Sequence, residues 1–298
     1  IDLDPTGGGL RNAYTTAGHT QVVRIPQLSS LTVNAGASIV PTAWDGTRGG
    51  VVAVHVTGTA AIQGTVDASG AGFRGVVVDN NSNGPGSNTT VYRSASSNDG
   101  AEKGESIAGF QTEYDALNGR YGRGAPANGG GGGDSHNAGG GGGANASAVA
   151  GTWTGAGTML VTPSSPLSAW ALDPAYIANG NALTASPGGG RGGYTYSSNN
   201  ADATTVAPGN GAWGGDSRRE VGGLGGRPLS PSANGRLFFG GGGGAGDANN
   251  SVGGAGGRGG GLVLLIAGTV NGSGSIRANG ANGASTTGAG NDAPGGGG

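Results

Sequence analysis

Apolar residues along this chain come in short alternating bursts rather than in helical stripes. Val22-Val23-Arg24-Ile25 predicts a short strand ended by Pro26. Leu31–Ile39 alternates apolar with small or polar residues until Pro41 stops it. Val51–Val56 and Ile62–Val66 are two further β-rich runs, punctuated by Gly58 and Gly64. The longest apolar stretch, Leu262–Ala267, is strand-sized and far short of the roughly eighteen residues of a membrane span. Helical patterning is nearly absent. Ala101–Leu117 predicts one short helix, interrupted by Gly104 and Gly109, and Leu167–Ile177 a second helical turn broken by Pro174.

The strand-like runs repeat. Arg48-Gly49-Gly50 aligns with Arg258-Gly259-Gly260 at an offset of 210, and the match continues without a gap. Val52, Val54 and Val56 fall on Leu262, Leu264 and Ile266, and Gly58-Thr59 falls on Gly268-Thr269. The segment Gly64–Gly70 falls on Gly274–Gly280. Equivalent strands of successive coils run the same way, so Val52–Val54 is expected beside Leu262–Leu264 in a parallel ladder, with Val54 and Leu264 on one face. His55, aligned with Leu265, is expected to be a pleat residue with one wet edge.

Between the copies glycine takes over. It fills 73 of 298 positions, with pure runs at Gly129–Gly133, Gly139–Gly143 and Gly240–Gly244. Such runs are either disordered or held in something only glycine can build. Collagen is excluded, because there is no strict Gly-X-Y period and only 13 prolines. A featureless linker would not be punctuated by Trp153, Trp170, Trp213, Phe238 and Phe239. The expected solution is a bundle of polyglycine II-type helices, three residues per turn, close enough for main-chain bonds between neighbours. The fold class is therefore mainly β with little α-helix: a short-strand β frame of solenoid-like coils enclosing packed glycine helices. One composite domain is expected, with an N-terminal strand segment over 1–75, a glycine-rich loop region over 76–257, and a C-terminal repeat and glycine exit over 258–298.

Composition narrows the function. Apolar residues make up 34% and aromatics 5%, too few for a conventional side-chain core throughout, so backbone bonding must carry unusual weight. A net charge of −2 with 11% charged residues leaves no footprint for nucleic acid. Without cysteine there are no disulfides or thiolate metal sites. The start at Ile1 and the stop in Gly295–Gly298 are expected to mark a processed piece of a longer chain.

Catalytic chemistry is not visible. His19, His55 and His136 lie far apart, and no acid pair has a spacing that points to glycoside cleavage. Gly254–Gly259 mimics a dinucleotide fingerprint but precedes a strand instead of opening a helix. Two glycine runs end in polar clusters, around Asp134 and Asn137 and around Asp247, Asn249 and Asn250. Their oxygens suit calcium; the plainer reading, preferred here, is that Asp and Asn cap the glycine helices. Asp45-Gly46 reads as turn chemistry. Tyr92, Tyr114, Tyr121, Tyr194 and Tyr196 are placed in loops, and Tyr194 with Tyr196 would share one face of an extended segment as a binding patch. The tryptophans are expected to plug gaps where a side-chain-poor core meets the sheet.

Several strings together carry a resemblance. They are Val23–Pro26 with Leu31–Asn34, Ala43–Gly46, Gly64–Gly75, Lys103–Gly109, Asn128–Asn137 and Arg236–Asn250, followed by the Arg258 repeat. In that order the chain resembles a glycine-rich module of very large secreted surface proteins of bacteria, departing from it at Val76–Val78. The resemblance implies an extracellular or cell-surface module with no catalytic residues to carry over. A weaker likeness is to the glycine-sandwich tips of phage long tail fibres, which implies a receptor-binding adhesin. The expected function is a non-catalytic structural or adhesive unit, with a phage-type tip as the alternative and a polysaccharide-active enzyme as a remote third class. Expected partners are other copies of the protein, in a homo-oligomer or filament, or cell-surface glycans. Nucleic acid and membrane insertion are not expected, nor is any cofactor beyond the calcium alternative.

Overall fold

The computed structural model describes residues 14–15, 18–78, 91–134, 138–144, 189–190, 192, 222–229, 236–248, 253–285 and 295–298. The strands are β1 (Gln27–Leu28), β2 (Leu31–Val33), β3 (Ser38–Ile39), β4 (Val51–Ile62), β5 (Thr65–Asp67), β6 (Leu262–Asn271) and β7 (Ser275–Arg277). Their pairing is parallel throughout. β4 takes β1 and β2 on one edge and β6 on the other, while β5 lies between β3 and β7. The chain thus lays down three layers, 27–39, 51–67 and 262–277, each feeding the same two sheets. Strands are short because every layer turns a corner between them. The corners nest closely: a Cβ at Gly64 would lie 2.2 Å from the Ala37 carbonyl oxygen, and one at Gly274 2.1 Å from that of Gly64. Only glycine permits that approach.

The parallel repeat is present with a one-residue correction. Over its first half the register is Val52↔Val263 and Val54↔Leu265, and it returns to the sequence offset only at Thr59↔Thr269. Val54 therefore shares a face with Leu265, not Leu264, and His55 sits opposite Ile266. The cause is a bulge in β4, where Thr57-Gly58 occupies the space of Gly268 alone. Gly58 interrupts the ladder without ending the strand, so β4 runs on to Ile62. Val22–Ile25 is not a strand. Val22 is exposed, and Pro26 contributes only its carbonyl, to the His55 N–H, so pairing begins at Gln27.

Alternation then builds the core. Val33, Val52, Val56, Ala60, Ile62 and Val66 form one buried cluster, with Leu28, Leu31, Ile39, Val263 and Leu265 packed against it. Burying each aliphatic side chain contributes about 1.5–3 kcal/mol. Among the described residues the helical elements named are α1 (Gln111–Ala116) and a 3-10 turn at Ser97–Asp99. α1 is shorter than the pattern predicts because Ala101–Gly104 is drawn into main-chain bonds with 120–133. It starts where the Glu113 carboxylate accepts the Phe110 N–H at 3.0 Å, tying down an amide just ahead of the first turn. Leu167–Ile177 lies outside the described residues.

The glycine segments follow a different rule. Gly240, Gly243 and Gly246 donate to the carbonyls of Gly260, Gly257 and Gly254. Gly241 and Gly244 donate to Ala144 and Gly141, and Gly242 and Ala245 to Glu105 and Glu102. On other sides the carbonyls of Gly240 and Gly243 accept from Phe73 and Val76, those of Gly242 and Ala245 from Gly130 and Gly133, and that of Gly244 from Gly296. Partners recur every third residue and surround segment 240–246. An α-helix would bond to itself, and a strand would bond along two edges. Spacing is close: a Cβ at Gly130, Gly131 or Gly132 would lie 1.9, 2.0 and 2.0 Å from the carbonyl oxygens of Gly141, Arg123 and Ala101. None of these glycines has a positive φ. Segments 68–76 and 253–261 lead out of the second layer and into the third, so lattice and strands share backbone. No helix among the described residues is long and apolar enough to cross a membrane.

Candidate binding site

A cleft of about 360 Å³ opens where the strand layers, the glycine lattice and α1 meet, lined by Trp44, Phe73, Phe110 and Phe239 with His19 and Glu113. Its floor is fixed from below. Trp44 is buried, its ring 5.6 Å from Phe239, which meets Phe73 edge-on at 5.4 Å. The indole N–H donates to Glu105 Oε1 at 2.9 Å. Arg74 donates to Glu105 Oε2 through its backbone N–H at 2.7 Å and its Nε at 2.9 Å, and to Oε1 at 3.0 Å. The same guanidinium lies 4.2 Å over the Phe110 ring. Trp44 fills the gap between sheet and lattice that the sequence predicts for tryptophans; the others lie outside the described residues.

At the rim, His19 Nδ1 meets the Gly46 carbonyl at 2.6 Å and Nε2 meets Glu113 Oε1 at 3.0 Å. Two acceptors favour the charged ring, and the hydrogen bond to Glu113, followed by that to Gly46, raises the His19 pKa. The hydrogen bond from His19 in turn holds the Glu113 carboxyl down at about 2. Both acids of the cleft are thus bound by donors, Glu105 by Trp44 and Arg74 and Glu113 by His19 and the Phe110 N–H. The exposed walls are apolar, from Ile107 and Leu237. Such a surface can hold a partner; its charged groups are spent on shaping it.

Behind the cleft the chain's single lysine acts as a staple. Lys103 is buried, and its ammonium donates to the carbonyls of Tyr92, Gly119 and Tyr121 at 2.9, 2.7 and 2.7 Å. Burial pulls its pKa down to about 7. Three carbonyls match the three donors of an ammonium, so the geometry favours the charged form. Tyr114 is not a loop residue: it lies in α1, 3% exposed, bonded through its hydroxyl to Ser106 and to the Gly104 carbonyl. Burial pushes its pKa above the usual tyrosine range.

Of the residues singled out by sequence, Asp134 and Asp247 are both buried and near each other, across the Ala138–Asp247 bridge that closes two glycine runs. Asp134 Oδ2 accepts the Val91 N–H at 2.5 Å, as a capping carboxylate does; Oδ1 is buried with no hydrogen-bond partner among the described residues. Desolvation pushes the Asp134 pKa up to about 8, against the Val91 bond and the nearby Arg123 charge. A calcium site wants six to eight anionic or carbonyl oxygens, and the positive charge of Arg123 acts on Asp134 here. No group of three His, Cys, Asp or Glu residues fit to hold a metal occurs among the described residues. Asp45 is an ordinary turn carboxylate, accepting from Thr47 N at 2.8 Å, Thr47 Oγ1 at 2.7 Å and Arg48 N at 2.9 Å. Tyr194, Tyr196, His136, Asn137, Asn249 and Asn250 lie outside the described residues.

Sequence reasoning missed the cleft because its parts are scattered between positions 18 and 262. No family model, curated protein or solved structure matches this chain.

Proposed function

We propose that the chain is a non-catalytic structural and adhesive module that works outside the bacterial cell, as a unit of a fibre or of a very large surface protein. In this reading the three strand layers are solenoid-like coils, and the glycine segments beside them are polyglycine II helices packed against one another. The observation that carries it is the three-residue recurrence of main-chain partners around segment 240–246, with Gly241, Gly242, Gly243 and Gly244 set directly against neighbouring backbones. Such a lattice is rigid without needing a side-chain core, which suits a load-bearing or spacing element. The cleft supports binding over turnover, since Glu105 and Glu113 are fully engaged by Trp44, Arg74, His19 and Phe110. A phage-type receptor-binding tip is the alternative; the parallel strand layers favour the surface-module reading.

The test combines two assays on the purified chain. It should release nothing from polysaccharide, ester or phosphoester substrates, and it should attach to cell surfaces or glycans. Replacing Tyr194 and Tyr196 by alanine should leave the fold intact and weaken attachment. Measurable hydrolysis would overturn the non-catalytic reading, and unchanged attachment in the folded double variant would remove the tyrosines from the contact surface.

A further inference from the structure

The three layers are stacked, and among the described residues no strand continues the stack at either face. β6 pairs only with β4, and β7 only with β5, among the described residues; β1, β2 and β3 likewise have partners on one edge only. The middle layer shows what covering does. Ala60 lies between Leu31 and Val270, and Val66 between Ile39 and Ile276. Ala60 and Val66 are 0% and 3% exposed, whereas Val270 and Ile276, on the same core-facing positions of the third layer, are 52% and 47% exposed. Terminal layers of stacked architectures are normally capped by polar residues, and open parallel edges bind other strands. This end carries β-branched apolar residues instead, and among the described residues no strand pairs with its outer edge.

We propose that the open edge of β6 and β7 receives the open β1–β3 edge of a second copy of this chain, continuing the stack head to tail. The occupant follows from continuity: the step from layer 27–39 to 51–67 is the same parallel step as from 51–67 to 262–277, and a second copy supplies the next one. Leu31 of the second copy then lies beside Val270, and its Ile39 beside Ile276, burying both. The contact is heterologous, so it does not close on two copies and grows a filament. This deepens the structural-module reading by naming its assembly surface.

The chain has no cysteine, so engineered thiols report the geometry cleanly. Leu31 and Val270 flank Ala60 from opposite sides, about 10 Å apart at about 4.8 Å per layer, too far for a disulfide within one chain. Mixing Val270→Cys with Leu31→Cys under mild oxidation should give a cross-linked dimer that neither variant forms alone. The unmodified chain should sediment as concentration-dependent oligomers, and Val270→Lys/Ile276→Lys should sediment as a folded monomer with unchanged circular dichroism. A cross-link formed by Val270→Cys alone would mean tail-to-tail pairing and would overturn the proposal. So would a monomeric unmodified chain, or oligomers indifferent to the two lysines. Attachment to cells by the monomeric lysine variant keeps the fate of the adhesive reading separate from that of stacking.

Discussion

The strand layers and the glycine lattice solve the same problem with opposite means. In the layers, ladders set the register and side chains supply the burial, so Val56 and Ala60 are fully covered by their neighbours above and below. In the lattice there are almost no side chains to bury, and segment 240–246 is covered by other backbones. The consequence is an inverted sensitivity. Removing atoms should damage the layers, whereas adding a single methyl group should damage the lattice.

The largest effect should come from Gly244→Ala. Its new Cβ would sit 2.0 Å from the Gly131 carbonyl oxygen and 2.5 Å from that carbon, both backbone atoms that no rotamer change can move. Parting segments 240–246 and 130–133 breaks the bonds from Gly130 to Gly242 and from Gly133 to Ala245. Each buried amide left unpaired costs about 1–3 kcal/mol, so the loss is on the order of 5 kcal/mol. Denaturant titration measures it; a midpoint within error of the unmodified protein would refute the backbone-contact account. In the layers, Ile62→Ala should cost about 2–5 kcal/mol, through lost burial and the cavity left in the cluster around Val33 and Val66. A lattice variant more tolerant than this one would reverse the comparison.

Where sequence succeeded and failed follows the same division. The layers were legible because alternation and the 210-residue repeat are side-chain signals, visible in Val52–Val56 and Leu262–Ile266. The bulge at Thr57-Gly58 was not, since a gapless alignment carries no trace of backbone irregularity. The first layer was half legible: Gln27–Leu28 is too short for a period, and its partner His55 lies 28 residues away. In the lattice the runs themselves announced order, but identical residues hold no information about which run meets which. The cleft was illegible for a related reason, as Trp44, Glu105 and Phe239 meet only once the lattice has folded.

A pH-dependent effect separates the lattice's few buried acids from its backbone. Asp134 has its folded pKa raised to about 8 from a usual value near 3.8, so the folded state binds more protons than the unfolded state between those values. Stability from this group is fully present below about pH 4 and is lost as pH rises through about 8. Thermal unfolding between pH 4 and 8 should show a falling contribution that Asp134→Asn, which mimics the neutral acid, flattens. An identical slope in the variant would remove Asp134 as the source. A calcium chelator should leave the midpoint unchanged, as expected of a capping carboxylate; a clear drop would restore the cation reading.

The smallest expected effect is the most discriminating, because it lies one residue from a large one. A Cβ at Gly189 would lie 2.0 Å from the Gly142 carbonyl oxygen and 2.6 Å from Gly226 N, whereas one at Gly190 would meet nothing within 4 Å. Gly190 is exposed, has no positive φ, and contributes its carbonyl to the Gly142 N–H at 2.7 Å. Alanine keeps that carbonyl and restricts the unfolded chain, so Gly190→Ala should be neutral or stabilise by about 0.4–1 kcal/mol. Gly189→Ala should instead destabilise, by about 1–3 kcal/mol for overpacking against fixed backbone. If glycine were needed here merely for chain flexibility, both substitutions would act alike. Opposite signs at adjacent positions, read from paired unfolding curves, are what three-sided backbone packing requires, because turning by one residue swings the Cα from a neighbouring chain to open solvent.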